Sequence, residues 1–286
     1  MAAETSCTAC SWNSRRQNAG SYNSHIKLFY SNSDRAAWSL GPKYILKERS
    51  DKPPSFEARN LRFLKENTTI PVPTVVLDYS SEDRYYIQTE RVPGETLETA
   101  WATLSATEKV LIAKQTAEFL LQLRRLQSPK MQSLGEQPLY SAFLFQGDYG
   151  QPHGPLSSDD ELWAVWAPAL KGLPAKALSR LRERLPSSAP YTFTHGDLFL
   201  GNIIIEGGNL AGIIDWESSG YFPVWWEFAC AGIGLGEADK EWKDLLREHM
   251  VQHEAGRDFW LDLYSLSAYP HLNERGVKVL AQLMRD

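Results

Sequence analysis

Cysteine is nearly absent: Cys7, Cys10 and Cys230 are the three in 286 residues, too few to staple a domain, which excludes a disulfide scaffold and fits a reducing compartment. Cys7 and Cys10 have the spacing of half a zinc site. No second pair follows them, so both are read as plain thiols in a polar tail over residues 1–24. No segment offers about 18 uninterrupted apolar residues, and that tail has no continuous apolar core. Neither a membrane span nor a secretory leader is expected, and the expected location is the cytoplasm. Dense Lys/Arg runs are missing too. With 30 basic and 35 acidic residues the net charge is −5, which removes nucleic acid from the expected partners; the oligomeric state is left open.

What the chain does have is a 43% hydrophobic content rich in Trp, Tyr and Phe, enough for a substantial core. Its most informative stretch runs from Tyr191 to Glu217. Tyr191–Thr194 reads as a short strand, and the apolar runs Ile203–Ile205 and Leu210–Ile214 flank Gly207-Gly208, the mark of a tight hairpin. Folding there pairs Glu206 with Asn209 and sets Ile203 opposite Gly212. Asn202 and Asp215 then lie together at the open end, offset by two residues, close enough for one divalent cation to touch both.

Asp197 precedes Asn202 by five residues, completing His195-x-Asp197-x4-Asn202 followed by Asp215. Phosphoryl transfer needs such a set: a carboxylate to orient the attacking hydroxyl, and oxygen ligands for the metal on the ATP phosphates. The oxygen-only pair Asn202 and Asp215 suits Mg²⁺ rather than zinc. Gly196 stands where protein kinases carry Arg, and Trp216-Glu217 where they carry Phe-Gly.

Upstream, His25–Tyr30, Ala36–Leu40 and Tyr44–Glu48 are strand candidates, and Lys47 near the end of the third is either a phosphate-neutralising lysine or an edge-strand lysine that blunts pairing. A helix is expected over Phe56–Glu66. Glu57 in its first turn either complements the helix dipole or pins Lys47, and the order strand lysine then helix glutamate favours the second. Val75–Tyr79 and Arg84–Glu90 form a further hairpin. These residues, 25–90, read as a small lobe of five strands and one helix, followed by a hinge over residues 91–95. Adenine is expected against that hinge, at the Glu90 carbonyl and the Val92 amide. The turn after the first strand, Ser31-Asn32-Ser33, has no glycine; it either bonds phosphates or is a plain turn.

Residues 96–286 read as a larger helical lobe. Ser105 and Glu108 form a capping box for a helix reaching about Leu126, and Ser128–Leu156 read as a long loop or crossover. Ser158 opens another helix, whose acidic start Asp159–Glu161 either complements the dipole or attracts a cationic substrate. Tyr221–Trp226 are read as core and pocket wall together. Asp239–Met250 reads as a surface helix with one buried stripe, and His249 and His253 as solvated.

The segments WSLGPKYILKE, FEARNLRFLKENTTIPVP, ERVPGETLETAW, FTHGDLFLGNIII and GIIDWESSGYFPVWWEFA, spanning about Ala36 to Leu246, resemble the aminoglycoside phosphotransferase-like (choline kinase-like) family, particularly its fungal branch. The resemblance implies an α+β, bilobal protein-kinase-like fold and ATP-dependent phosphorylation of a small-molecule hydroxyl. It makes Asp197 the catalytic base, Asn202 and Asp215 the Mg²⁺ ligands, Lys47 the phosphate-binding lysine, Glu57 its partner and His195 a brace. The alternative is a kinase-fold binding protein with weak or no turnover. A two-metal phosphoesterase needs more histidines than the six scattered here.

Overall fold

The computed structural model describes residues 24–53, 55–145 and 151–285. The expected tail, with Cys7 and Cys10, falls outside them except for Ser24.

Runs rich in β-branched and aromatic residues build the first sheet: β1 (Ile26–Asn32), β2 (Arg35–Leu40), β3 (Tyr44–Ser50), β4 (Val75–Ser81) and β5 (Arg84–Glu90), ordered β1-β2-β3-β5-β4 and antiparallel throughout, with buried and half-buried positions alternating along β5. The single helix α1 (Glu57–Asn67) crosses from β3 to β4 and buries Ala58, Leu61 and Leu64. Its apolar stripe shares one core cluster with Ile87 of β5.

After Glu90 the chain does not swing free. Glu95–Thr96 forms β6, which pairs with β9 (Ile203–Glu206), and β9 pairs with β10 (Asn209–Ile213), so the expected hinge is stitched onto the β9–β10 hairpin. Gly94 allows this close crossing: its φ is +106°, and a Cβ there would lie 2.1 Å from the Ile205 carbonyl oxygen.

Helix α2 (Ala106–Leu123) starts at the expected Ser105/Glu108 capping box, a motif whose loss costs about 1 kcal/mol. It ends three residues earlier than the apolar spacing suggests, because Leu126 turns out of the helix and its carbonyl accepts from Phe193 of β8 (Tyr191–Thr194). β8 lies between β7 (Gln127–Ser128) and β11 (Gly220–Phe222). The described part of 128–156 carries bridges rather than long strands, Met131 to Leu156 and Leu139 to His153 among them.

Besides the one-turn helix Leu97–Ala100 and two short 3-10 helices, Ala167–Leu170 and Leu200–Asn202, the described residues form α3 (Asp159–Trp166), α4 (Ala175–Glu183), α5 (Trp226–Cys230), α6 (Glu237–His249), α7 (Glu254–Leu266) and α8 (Glu274–Met284). Leu162, Leu181, Trp226, Trp260 and Leu283 meet in a second core. The first core runs from α1 through Phe193, Ile203 and Ile213 to Trp242 of α6, so sheet region, β9–β10 hairpin and helical region share buried contacts. The architecture is α+β, a sheet region followed by a larger helical one.

Two expectations change. Trp225 and Trp226 are 1% and 0% exposed, so they are core and not pocket wall; only Tyr221 of that run keeps a partly open ring. Helix α6 buries one stripe as expected, with Trp242 and Leu246 wholly covered, and from that stripe Asp239 reaches the loop that follows Asp197. His249 and His253 are half-buried, each with Nε2 shielded, because the helix end turns them inward. The carboxylates at the start of α3 are taken up locally: Asp159 accepts from Ser188 N–H, Asp160 pairs with Arg182, and Glu161 accepts from Ser157 N–H. With Ser158 Oγ accepting from Glu161 N–H, these contacts are those of a capped helix start.

Candidate active site

The β9–β10 hairpin carries the turn Gly207-Gly208 and pairs Glu206 with Asn209, as the sequence implies. Its far end differs. The register slips between Leu210 and Gly212, so Ile203 faces Ile213 rather than Gly212. An extra residue in one strand shortens the reach of the other. Ile214 N–H donates to the Asn202 carbonyl at 3.0 Å, and Asp215 stands one residue past that pair instead of two. The bulge therefore draws the two expected metal ligands closer together.

Asp215 leaves the strand at φ +65°, a left-handed conformation that Asp tolerates better than most residues. Its Oδ1 accepts from Lys47 Nζ at 2.8 Å, and the same ammonium donates to Glu57 Oε1 at 2.6 Å. Strand lysine, helix glutamate and hairpin aspartate thus meet at one cation. Burial alone would lower the Lys47 pKa, but the carboxylates of Asp215 and Glu57 outweigh it and hold the ammonium above its ordinary value. Burial likewise pushes Asp215 up, and the Lys47 charge more than reverses it. Glu57, 5% exposed, is pushed up by burial against the pull of Lys47.

On the other side of the hairpin, His195 is fully buried, and its Nδ1 accepts from Asp197 N–H at 3.1 Å. Nε2 is then the protonated nitrogen, donating to the Ile214 carbonyl at 3.0 Å. Burial drives the His195 pKa down to about 4, so the ring is neutral and ties the Asp197 loop to the Asp215 strand. Asn202 adds a second tie, its amide donating to the Asp197 carbonyl at 2.9 Å. Burial first, then the nearby Asp215 charge, pushes the Asp197 carboxyl up to about 6. Gly196 between them has φ +80°, a backbone that an Arg in its place would strain.

Several supports have no signal in the motif spacing. Glu227 accepts from His195 N–H at 2.6 Å and Gly196 N–H at 3.1 Å, clamping the loop from below; burial pushes its carboxyl up to about 7. Asp239 accepts from Leu200 N–H at 3.1 Å and pairs with Lys243 at 2.9 Å, while Trp242 Nε1 donates to the Leu198 carbonyl at 3.0 Å. Asn60, wholly buried in α1, donates to the Trp216 carbonyl at 2.7 Å. Only its place one helical turn after Glu57, on the same face, hints at this.

Glu90 and Val92 bracket the crossing at Arg91, whose N–H donates to the Lys43 carbonyl at 2.8 Å. The Val92 side chain packs over Gly212 of the hairpin. Asn202 and Asp215 offer hard oxygen donors and no thiolate or imidazole, which suits Mg²⁺, an ion that keeps waters and substrate phosphates as its other ligands. Among the described residues no cluster of three or more His, Cys, Asp or Glu could hold a metal by protein ligands alone. No helix of the described residues is long and apolar enough to cross a membrane.

The sequence model of the Phosphotransferase enzyme family matches residues 29–260. Among solved structures, the aminoglycoside phosphotransferase APH(4)-Ia is 16% identical with a TM-score of 0.58, 90% of each chain being covered. The streptomycin–ATP–APH(2'')-IIa ternary complex gives 18% identity, TM-score 0.53 and 91% of each chain. ADP-bound APH(2'')-Ib gives 17% and 0.55, over 94% of this chain and 95% of that one.

Proposed function

This chain belongs to the Phosphotransferase enzyme family, and from that premise we propose that it transfers the γ-phosphate of ATP to a hydroxyl of a small molecule in a Mg²⁺-dependent reaction. The observation that carries the reading is the Lys47 ammonium held between Glu57 and Asp215, with Asp197 tied to the same hairpin through His195. A kinase-like fold shared with ATP-bound and ADP-bound phosphotransferases supports it.

In the proposed mechanism residues 25–90 and 96–286 act as two lobes, joined by residues 91–95. Adenine lies against the Glu90 carbonyl and the Val92 amide. Lys47 neutralises phosphate charge, kept in place by Glu57. Asn202 and Asp215 would hold Mg²⁺, which when bound would supply charge neutralisation at the phosphate oxygens. Asp197 orients the acceptor hydroxyl for in-line attack and takes its proton as the acceptor O–P bond forms and the bond from the γ-phosphorus to the β,γ-bridging oxygen breaks, with ADP as the leaving group. The His195 and Glu227 contacts keep that carboxylate in register.

Incubation with γ-labelled ATP, Mg²⁺ and a cell-extract metabolite pool tests this. Label in a small organic phosphate is the expected result. The second reading, a nucleotide-binding protein without turnover, is favoured by the glycine-free turn Ser33-Asp34; it predicts MgATP binding with label left wholly in ATP and inorganic phosphate.

A further inference from the structure

Asp239 and Lys243 of α6 form a buried ion pair that the mechanism above leaves unused. Each residue is only 5% exposed. Two charges taken out of water are costly unless hydrogen bonds occupy their remaining lone pairs and protons. Here the main chain does so at two separate places. Asp239 Oδ1 accepts from Leu200 N–H at 3.1 Å, three residues past Asp197. Oδ2 accepts from Leu235 N–H at 2.9 Å and from Lys243 Nζ at 2.9 Å, and the same ammonium donates to the Ile233 carbonyl at 2.6 Å. One carboxylate therefore joins the loop that carries Asp197 to residues 231–236, which lead from α5 into α6.

Asp239, Trp242 and Lys243 stand at i, i+3 and i+4, on one face of the helix. From that face Trp242 Nε1 donates to the Leu198 carbonyl, so α6 grips the chain just after Asp197, as Glu227 grips it just before at His195 and Gly196. The position calls for a carboxylate. Three donors converge on its two oxygens, and an asparagine of the same shape would turn one of those oxygens into an N–H donor facing a donor. Neither Asp239 nor Lys243 bonds to Lys47, Asn202 or Asp215.

We propose that Asp239 is a positioning residue for phosphoryl transfer, fixing Asp197 through Leu200 and tying its loop to residues 231–236, with Lys243 as the counter-charge that lets a carboxylate stand there. The inference rests on the phosphotransferase reading.

The full-length wild type, D239N and the double variant D239N/K243M are compared in three measurements. Titration calorimetry gives MgATP affinity and the number of binding sites, a melting curve gives Tm, and γ-labelled ATP with a cell-extract metabolite pool gives transfer per MgATP-binding site. D239N is expected to bind MgATP within about twofold of wild type and to transfer at least about tenfold more slowly per site, because a small misplacement of the reacting group is enough. Its Tm falls as well, since Lys243 is left as a buried ammonium without its carboxylate. The double variant removes that charge and guards against a folding failure of D239N: Tm should climb back toward wild type while transfer stays low. Wild-type transfer per site in D239N overturns the proposal, as does loss of MgATP affinity in step with transfer. Transfer that recovers together with Tm in the double variant also overturns it, since the pair would then only stabilise the fold. A wild-type chain that leaves all label in ATP and inorganic phosphate contradicts the phosphotransferase reading itself, and this inference with it.

Discussion

Asn60 Nδ2 lies 2.7 Å from the carbonyl oxygen of Trp216, 156 residues further along the chain. Three residues earlier on the same helix, Glu57 holds Lys47, and Lys47 holds Asp215. Helix α1 therefore grips the candidate metal loop twice, once through an ion-pair relay and once through a buried amide.

Replacing Asn60 by Leu keeps the volume and deletes the donor, leaving the buried Trp216 carbonyl without it. The expected cost is about 1–3 kcal/mol in urea unfolding, together with weaker MgATP binding from a looser Asp215. An unchanged midpoint and unchanged affinity would show that α1 does not hold the loop.

Gly196 at φ +80° has room for a methyl group, the nearest side-chain atom being Trp226 Nε1 at 4.0 Å from an added Cβ. Gly196→Ala is thus a test of backbone strain alone. It should cost about 1–2 kcal/mol, read as a fall of roughly 2–4 °C in Tm, with turnover reduced as Asp197 shifts. Wild-type Tm and turnover together would mean that the loop does not need the left-handed backbone.

Burial, and then the charge of Asp215, raise the Asp197 pKa to about 6, so the free enzyme keeps that proton to a higher pH than an ordinary aspartate. In the proposed mechanism the carboxylate is the active form. Hence kcat/KM should fall with unit slope below about pH 6 and be flat above it. Bound metal offsets the Asp215 charge, so the acid limb of kcat should lie lower than that of kcat/KM. A kcat/KM profile flat down to pH 5 would remove Asp197 from the proton-accepting role.

What the sequence made legible was local. The β9–β10 hairpin follows from two glycines between β-branched runs, and Lys47 and Glu57 stand ten residues apart on a strand and the next helix. The slip at Ala211 was not legible, because a bulge depends on what packs over the strand, here Val92 against Gly212. Nor were Asn60, Glu227 and the Arg35–Glu217 bridge. Their partners lie 156, 32 and 182 residues away, so only the folded chain joins them. Trp225 and Trp226 misled for a similar reason: aromatic residues next to a site line it or underpin it according to tertiary packing, and here they underpin it.

Asp197→Asn tests the central claim most directly. It removes the proton acceptor while leaving Lys47, Asn202 and Asp215 in place, so MgATP should bind as in wild type. Transfer of label from γ-labelled ATP to the acceptor should drop about 10²–10⁴-fold. Transfer at the wild-type rate by Asp197→Asn, with nucleotide binding intact, would contradict the assignment of this hairpin as a phosphotransfer site.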